Sequence, residues 1–272
     1  MELEGFERGS FEHAGLLRTT YRRGQGPGVL VMHEVPGITP KVAAFARRVA
    51  DRGYTVLLPQ LFGEVGRSPS VPYAASQLLR ACISREFHVL AARGSSPITR
   101  WLRALCRQLF TELGGPGLGA IGMCLTGNFA LSLMVEPCLM APVLSQPSLP
   151  FAVSPYHNAG LHLSDVDLAA AKARALPILG MRFSGDALCP AARFERLRTE
   201  FGARFEGIEI DSSSGNAHGI RRLAHCVVTE DFIDAEGHPT RIALDRLFLF
   251  LARQLKAAPG SAQEPAAQPS FR

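Results

Sequence analysis

Charge is scarce in this chain. Only 19% of its 272 residues are Asp, Glu, Lys or Arg, while 47% are hydrophobic. That balance excludes the disordered class and allows a large buried core. The formal charge of +5 and a pI near 9.1 raise the question of nucleic acid. Yet no run of five or six basic residues occurs, and no DNA- or RNA-binding signature is present. The scattered cations read as a solvated surface, with one or two arginines available for an anionic substrate. Six cysteines (Cys82, Cys106, Cys124, Cys138, Cys189 and Cys226) contain no C-x-x-C pair, which argues against both a disulfide framework and a zinc site. No other cluster has metal-ligand spacing, so neither metal nor cofactor is expected. No stretch of 18 uncharged apolar residues exists to cross a membrane, and Met1 to Gly15 lacks the apolar core of a secretory leader. No internal repeat is visible. The expectation is a soluble, reduced, cytoplasmic protein, monomeric or a small homo-oligomer, with no membrane or nucleic-acid partner.

What is present is an alternation of short apolar runs with longer helical patterns, the mark of a mostly parallel sheet covered by helices on both faces. Gly28 to His33 is a continuous apolar run, as in a strand buried on two faces. Thr39-Pro40 supplies an N-cap followed by proline at the first helical position, opening a helix through Val42, Phe45, Ala46 and Val49 that stops near Gly53. Further strands are expected at Tyr54 to Leu58, Ala120 to Met123, Ala141 to Ser145, Pro177 to Phe183 and Phe205 to Ile210. Residues 60–75, rich in Gly, Pro and Ser, read as a long loop, followed by a helix with Leu78, Leu79 and Cys82. Ser96-Pro97 starts the clearest helix, with Ile98, Trp101, Leu102, Leu105 and Leu109 at three- and four-residue spacing. Leu125 to Val135 has the apolar density of a buried helix, and a last helix covers about Arg241 to Leu255. The expected organisation is one α/β domain over residues 1–256 and a disordered tail over 257–272.

Gly122-Met123-Cys124-Leu125-Thr126-Gly127 joins an apolar strand to an apolar helix. A nucleophile elbow needs that context, because its sharp turn requires small neighbours around a central residue in a strained conformation. Thr126 is larger than the glycine usual at that position. A helix N-terminus behind Cys124 favours a thiolate and offers the Leu125 N–H to an oxyanion. A buried structural cysteine at a strand–helix junction is the plain alternative. Two downstream features weigh against it. Asp186 follows a strand in a Gly-Asp turn, and His218 lies in the Asn216-Ala217-His218-Gly219 loop beyond the next strand. The chain order nucleophile, acid, histidine is that of an α/β-hydrolase triad.

With these residues in hand, the chain resembles the dienelactone hydrolase family, the cysteine branch of the α/β-hydrolases, over roughly Gly28 to Leu255. The pieces that carry the resemblance are His33-Glu34-Val35-Pro36-Gly37, the Cys124 elbow, Gly185-Asp186 with Pro190, and His218-Gly219. The resemblance implies the α/β-hydrolase fold and hydrolysis of a small ester or lactone through a thioester. Cys124 would attack, His218 shuttle the proton and Asp186 orient His218, while the N–H groups of Leu125 and Val35 cradle the oxyanion. It also implies that Glu34 pairs with the resting thiol and moves to generate the thiolate. Arginines near such a site bind a substrate carboxylate, a role falling on Arg222 and on Arg85. The stretch Arg80 to Pro97 departs from the family pattern, so the substrate need not be a dienelactone. Two other readings stay open: a non-catalytic or redox-responsive relative with Cys124 as a sensor thiol, and an acyltransferase or peptidase on the same fold.

Overall fold

A computed structural model describes residues 2–83 and 96–256. Arg85 and the tail at 257–272 lie outside the described residues. Eight strands form one sheet: β1 (Glu7–His13), β2 (Leu16–Arg23), β3 (Gly28–Met32), β4 (Thr55–Pro59), β5 (Leu118–Met123), β6 (Leu139–Ser145), β7 (Ile178–Phe183) and β8 (Phe205–Ile210). Their order is β1-β2-β4-β3-β5-β6-β7-β8. From β4 to β8 all neighbours are parallel, whereas β1–β2 and β2–β4 are antiparallel.

The apolar runs are the parallel strands because both faces of the sheet are covered. Along β3, Leu30 and Met32 join one core while Val29 and Val31 join the other, as the two-residue period of a strand requires. Helices α1 (Pro40–Asp51), α2 (Val71–Ile83), α3 (Pro97–Leu113), α4 (Gly127–Ser132), α5 (Pro155–Asn158), α6 (Asp165–Ala173), α7 (Ala191–Phe201) and α8 (Pro239–Leu255) complete the chain. Residues of α1 and α8 line one core, and those of α3, α4 and α7 line the other. Both expected caps form: Thr39 Oγ1 accepts the Val42 N–H at 3.2 Å, and Ser96 Oγ accepts that of Thr99 at 3.3 Å. Trp101 is fully buried, and its Nε1 donates to the Leu16 carbonyl at 2.9 Å, tying α3 to the antiparallel edge.

Three local expectations are corrected. The β1–β2 hairpin lies where no strand was expected, since β1 is largely exposed and polar on both faces, as suits a charged edge. Helix α2 begins at Val71, inside the stretch read as loop. The segment Leu125 to Val135 is broken into a 3₁₀ turn at Cys124–Thr126, α4, and a second turn at Leu133–Val135. No helix of the described residues is long and apolar enough to cross a membrane.

Candidate active site

In an open parallel sheet the crevice for chemistry lies beyond the carboxyl ends of the strands. Here Glu34 follows β3, Cys124 follows β5, Gln146 follows β6, Asp186 follows β7 and His225 follows β8. Cys124 has φ +55°, a left-handed conformation that costs a non-glycine residue about 1–2 kcal/mol. The surrounding turn holds it there. A Cβ on Gly122 would lie 2.2 Å from the Thr126 carbonyl oxygen, and one on Gly127 would lie 2.6 Å from Pro147 Cα. The required small residues are therefore 122 and 127, not 126. Thr126 instead turns its hydroxyl inward. It accepts the Met123 N–H at 2.9 Å and reaches the Met32 carbonyl at 2.8 Å, fastening the elbow to the end of β3.

Asp186, expected as the acid, sits in the turn after β7. Asp186 is buried, and its Oδ1 accepts the Leu188 N–H at 2.9 Å. The histidine beside it is not the one expected. His225 Nδ1 lies 2.7 Å from Asp186 Oδ2, and the Cys124 sulfur is near enough to favour the ring's protonated form. With Nδ1 engaged, the buried Nε2 has no hydrogen-bond partner. Burial opposes protonation of this ring, but the Cys124 sulfur and the Asp186 carboxylate outweigh it, pushing the pKa well above the usual imidazole range. His218, the residue expected to complete the triad, is exposed, and its ring stacks edge-on against His238 with centroids 5.5 Å apart. That expectation is corrected: the Gly-flanked loop leaves His218 in solvent, whereas Ala224, Val227 and Val228 bury the backbone around His225. An apolar context was the available signal, since a histidine that pairs with a buried carboxylate must itself be drawn inward.

Asp231 anchors the histidine loop. Its Oδ2 accepts the N–H groups of His225 at 2.8 Å and Cys226 at 3.0 Å, and its other oxygen pairs with Arg221. Burial alone would raise its pKa; the Arg221 hydrogen bond and the two N–H donors reverse that and hold it below the ordinary value.

Glu34 is fully buried, but its hydrogen bonds do not go to Cys124. Its carboxyl group meets the Thr229 hydroxyl, the Gln146 amide at 2.9 Å and the Cys226 thiol. The expected pairing with the resting nucleophile is thus corrected, because the residue after His225 brings a second thiol to this carboxylate. Burial raises the Glu34 pKa against the lowering effect of the Thr229 and Cys226 hydrogen bonds. Gln146, at φ +36°, also accepts the Val227 N–H at 3.4 Å, so it bridges Glu34 to the histidine loop. His33 beside Glu34 donates from Nδ1 to the Glu34 carbonyl and accepts the Leu61 N–H at Nε2, each at 3.0 Å. Burial depresses its pKa to about 4.

Arg193 organises the rest of the rim. Its guanidinium is fully buried and donates to the carbonyls of Pro147, Pro150, His157, Gly160 and Leu188. It thereby joins the loop after β6, which packs against the elbow, to the turn that carries Asp186. Of the expected oxyanion donors, Leu125 opens the buried turn behind Cys124, and Val35 is half-buried before cis Pro36. Arg222 is exposed, and its carbonyl packs against Gly185 beside the acid turn. Two surface clefts among the described residues, one lined by Phe11, Arg22 and Gln108 and one by Arg48, Arg52 and Arg241, do not include Cys124. No group of three or more metal-binding side chains occurs among the described residues.

The model of the dienelactone hydrolase family matches residues 14–230. The chain belongs to this family. It is 26% identical over 121 residues to a Saccharomyces cerevisiae protein provisionally named a carboxymethylenebutenolidase, a match covering 43% of this chain and 41% of the yeast protein. The fold is similar to that of a dienelactone hydrolase from Anabaena variabilis, with TM-score 0.56 and 13% identity over 93% of this chain and 100% of that one. It is also similar to a cold-adapted esterase from an Arctic intertidal metagenomic library, with TM-score 0.59 and 12% identity over 94% and 97% of the two chains. A dienelactone hydrolase-like promiscuous phosphotriesterase from metagenomic libraries has TM-score 0.57 and 15% identity over 92% and 98%. As a member of the family the chain has the α/β-hydrolase fold, which these structures share.

Proposed function

We propose that this protein is a carboxylic ester hydrolase that cleaves a small ester or lactone through Cys124, His225 and Asp186. The observation that carries the reading is the His225 ring, held by Asp186 at 2.7 Å on Nδ1, with its buried Nε2 left without a hydrogen-bond partner and the Cys124 sulfur near enough to raise its pKa. This is the nucleophile–base–orienter arrangement of acyl transfer. The Cys124 thiolate attacks the carbonyl carbon, and the oxyanion that forms is held by the N–H groups of Leu125 and Val35. Collapse expels the alcohol, which takes its proton from His225. His225 then deprotonates water, which attacks the thioester and frees the acid. Asp186 stays ionised throughout, fixing the ring through Nδ1 and stabilising its charged form. Glu34, committed to Thr229, Gln146 and Cys226, positions the histidine loop rather than acting on the sulfur.

The test is turnover of small ester and lactone substrates by Cys124→Ala, His225→Ala and His218→Ala beside wild type. The first two should lose at least ~10³-fold, because the covalent route needs both groups. His218→Ala should retain activity within about threefold, as an exposed residue outside the site. Full activity in Cys124→Ala would sink the reading, and a loss confined to His218→Ala would return the proton shuttle to that residue.

A further inference from the structure

The sheet ends on β1, whose backbone pairs with β2 alone among the described residues. Alternate residues of such a strand turn their N–H and C=O groups outward, a template for a further strand. Edge strands are commonly blunted by proline, by a bulge or by being very short. β1 has none of these. Its register with β2 is unbroken over seven residues, from Glu7 opposite Arg22 to His13 opposite Leu16, and it contains no proline. Glu7, Arg8, Ser10 and Glu12 are exposed, and Gly9 has no side chain to shield the backbone. Phe11 is anchored with its ring centroid 5.3 Å from that of Trp101, and His13 stacks on Phe11 at 6.4 Å. The strand is therefore held rigidly from behind and open along its outer edge.

We propose that β1 pairs antiparallel with β1 of a second copy of this chain, about a two-fold axis through Ser10. The strand's own charge order indicates the occupant, because it is complementary to its reverse. With Ser10 opposite Ser10, Arg8 faces Glu12, Glu7 faces His13 and Gly9 faces Phe11. A two-fold contact repeats each of these pairs. Opposite charges directly across two strands stabilise their pairing, and like charges oppose it. An aromatic ring across from a glycine covers the backbone that the glycine leaves bare. Neighbouring registers lose these pairs. Moving the axis half a residue towards Gly9 sets Glu7 against Glu12, and the opposite half-step sets Arg8 against His13. A full step either way leaves Arg8 or Glu12 opposite Ser10. The charges that deter indiscriminate pairing of this edge thus select one partner, a reversed copy of the same strand. Eight strands from each copy then form one continuous sheet. A seven-residue ladder is a small contact, so the dimer is weak and forms as concentration rises.

The experiment is sedimentation velocity of the full chain across a wide range of protein concentration, with circular dichroism to confirm that each variant folds. Wild type should pass from monomer to dimer as concentration rises, less readily at high salt, which screens exposed charges. Arg8→Glu and Glu12→Arg each turn two attractive pairs repulsive, so each should weaken association by at least about tenfold. Within the chain Arg8 stands opposite Tyr21, a neighbour that Glu12→Arg does not touch, so a loss shared by both variants lies at the new contact. The double variant Arg8→Glu/Glu12→Arg restores the complementary order and should dimerise again. An equimolar mixture of the two single variants should form a heterodimer. A wild type that stays monomeric at every concentration overturns the proposal. So does a dimer that neither single reversal weakens, since its contact lies elsewhere. Failure of both the double variant and the mixture to associate overturns the Ser10 register, and species larger than a dimer overturn the two-fold closure. Mass alone is read, so the outcome is independent of the hydrolase reading.

Discussion

Asp231 offers a sharp test of how the site is held, because it touches no reacting atom. Its side chain is 9% exposed, and it binds the backbone N–H groups of His225 and Cys226, whereas its partner Arg221 is 75% exposed. Asp231→Ala leaves two part-buried donors without an acceptor, each at the lower end of the roughly 1–3 kcal/mol for a buried one, so the variant should lose about 2–3 kcal/mol of stability. Asp231→Asn keeps an oxygen but no charge. Weakening two charge-assisted bonds to neutral ones should cost it about 2 kcal/mol. Arg221→Ala removes only an exposed ion pair and should cost at most about 1 kcal/mol. The hydrogen bonds also carry a pH signature. The folded-state pKa of Asp231 is depressed, so its contribution is complete above the unfolded-state value and is lost as pH falls through the folded one. Urea titrations of the three variants across acidic pH, with kcat measured on each, give the comparison. In Asp231→Ala kcat should fall too, because the ring that faces Cys124 loses its anchor. If Arg221→Ala proved as costly as Asp231→Ala, the ion pair rather than the backbone anchor would be the stabilising element. Full kcat in Asp231→Ala would refute its role in holding His225.

Three further outcomes are expected. His225→Ala and Asp186→Asn should each cost several orders of magnitude in kcat/KM while their combination costs little more, since residues acting as one unit are non-additive; losses that multiplied would show independent roles. His33 takes up a proton more readily unfolded than folded, because burial holds its folded pKa at about 4. Stability should therefore decline from about pH 6.5 towards pH 4, by on the order of 3 kcal/mol, and this part of the slope should vanish in His33→Gln; an unchanged slope in urea midpoints would assign it elsewhere. If Arg222 grips a substrate carboxylate, wild type should hydrolyse an anionic ester faster than its neutral analogue, with the preference lost in Arg222→Ala and only partly screened by salt. Equal rates on the two esters would remove Arg222 from the site.

Much of this protein was legible from local pattern. A strand buried on both faces must be apolar throughout, so Gly28–Met32, Leu139–Ser145 and Ile178–Phe183 announced themselves, and a parallel sheet followed from the helices between them. Thr39-Pro40 and Ser96-Pro97 marked helix starts because capping is decided within four residues. The turns at Cys124 and Asp186 were equally readable, each a short strand-end turn with its own glycine. The polar β1 carried no such pattern, since an edge strand is specified by its neighbour rather than by burial. The histidine and the partner of Glu34 were beyond sequence for a related reason. Three histidines, His218, His225 and His238, lie between β8 and α8, and chain order admits any of them. Only the packing of Ala224, Val227 and Val228 and the grip of Asp231 decide which ring meets Asp186. The same packing brings Cys226 to Glu34 across a span of 192 positions, a contact that no local rule of spacing can encode.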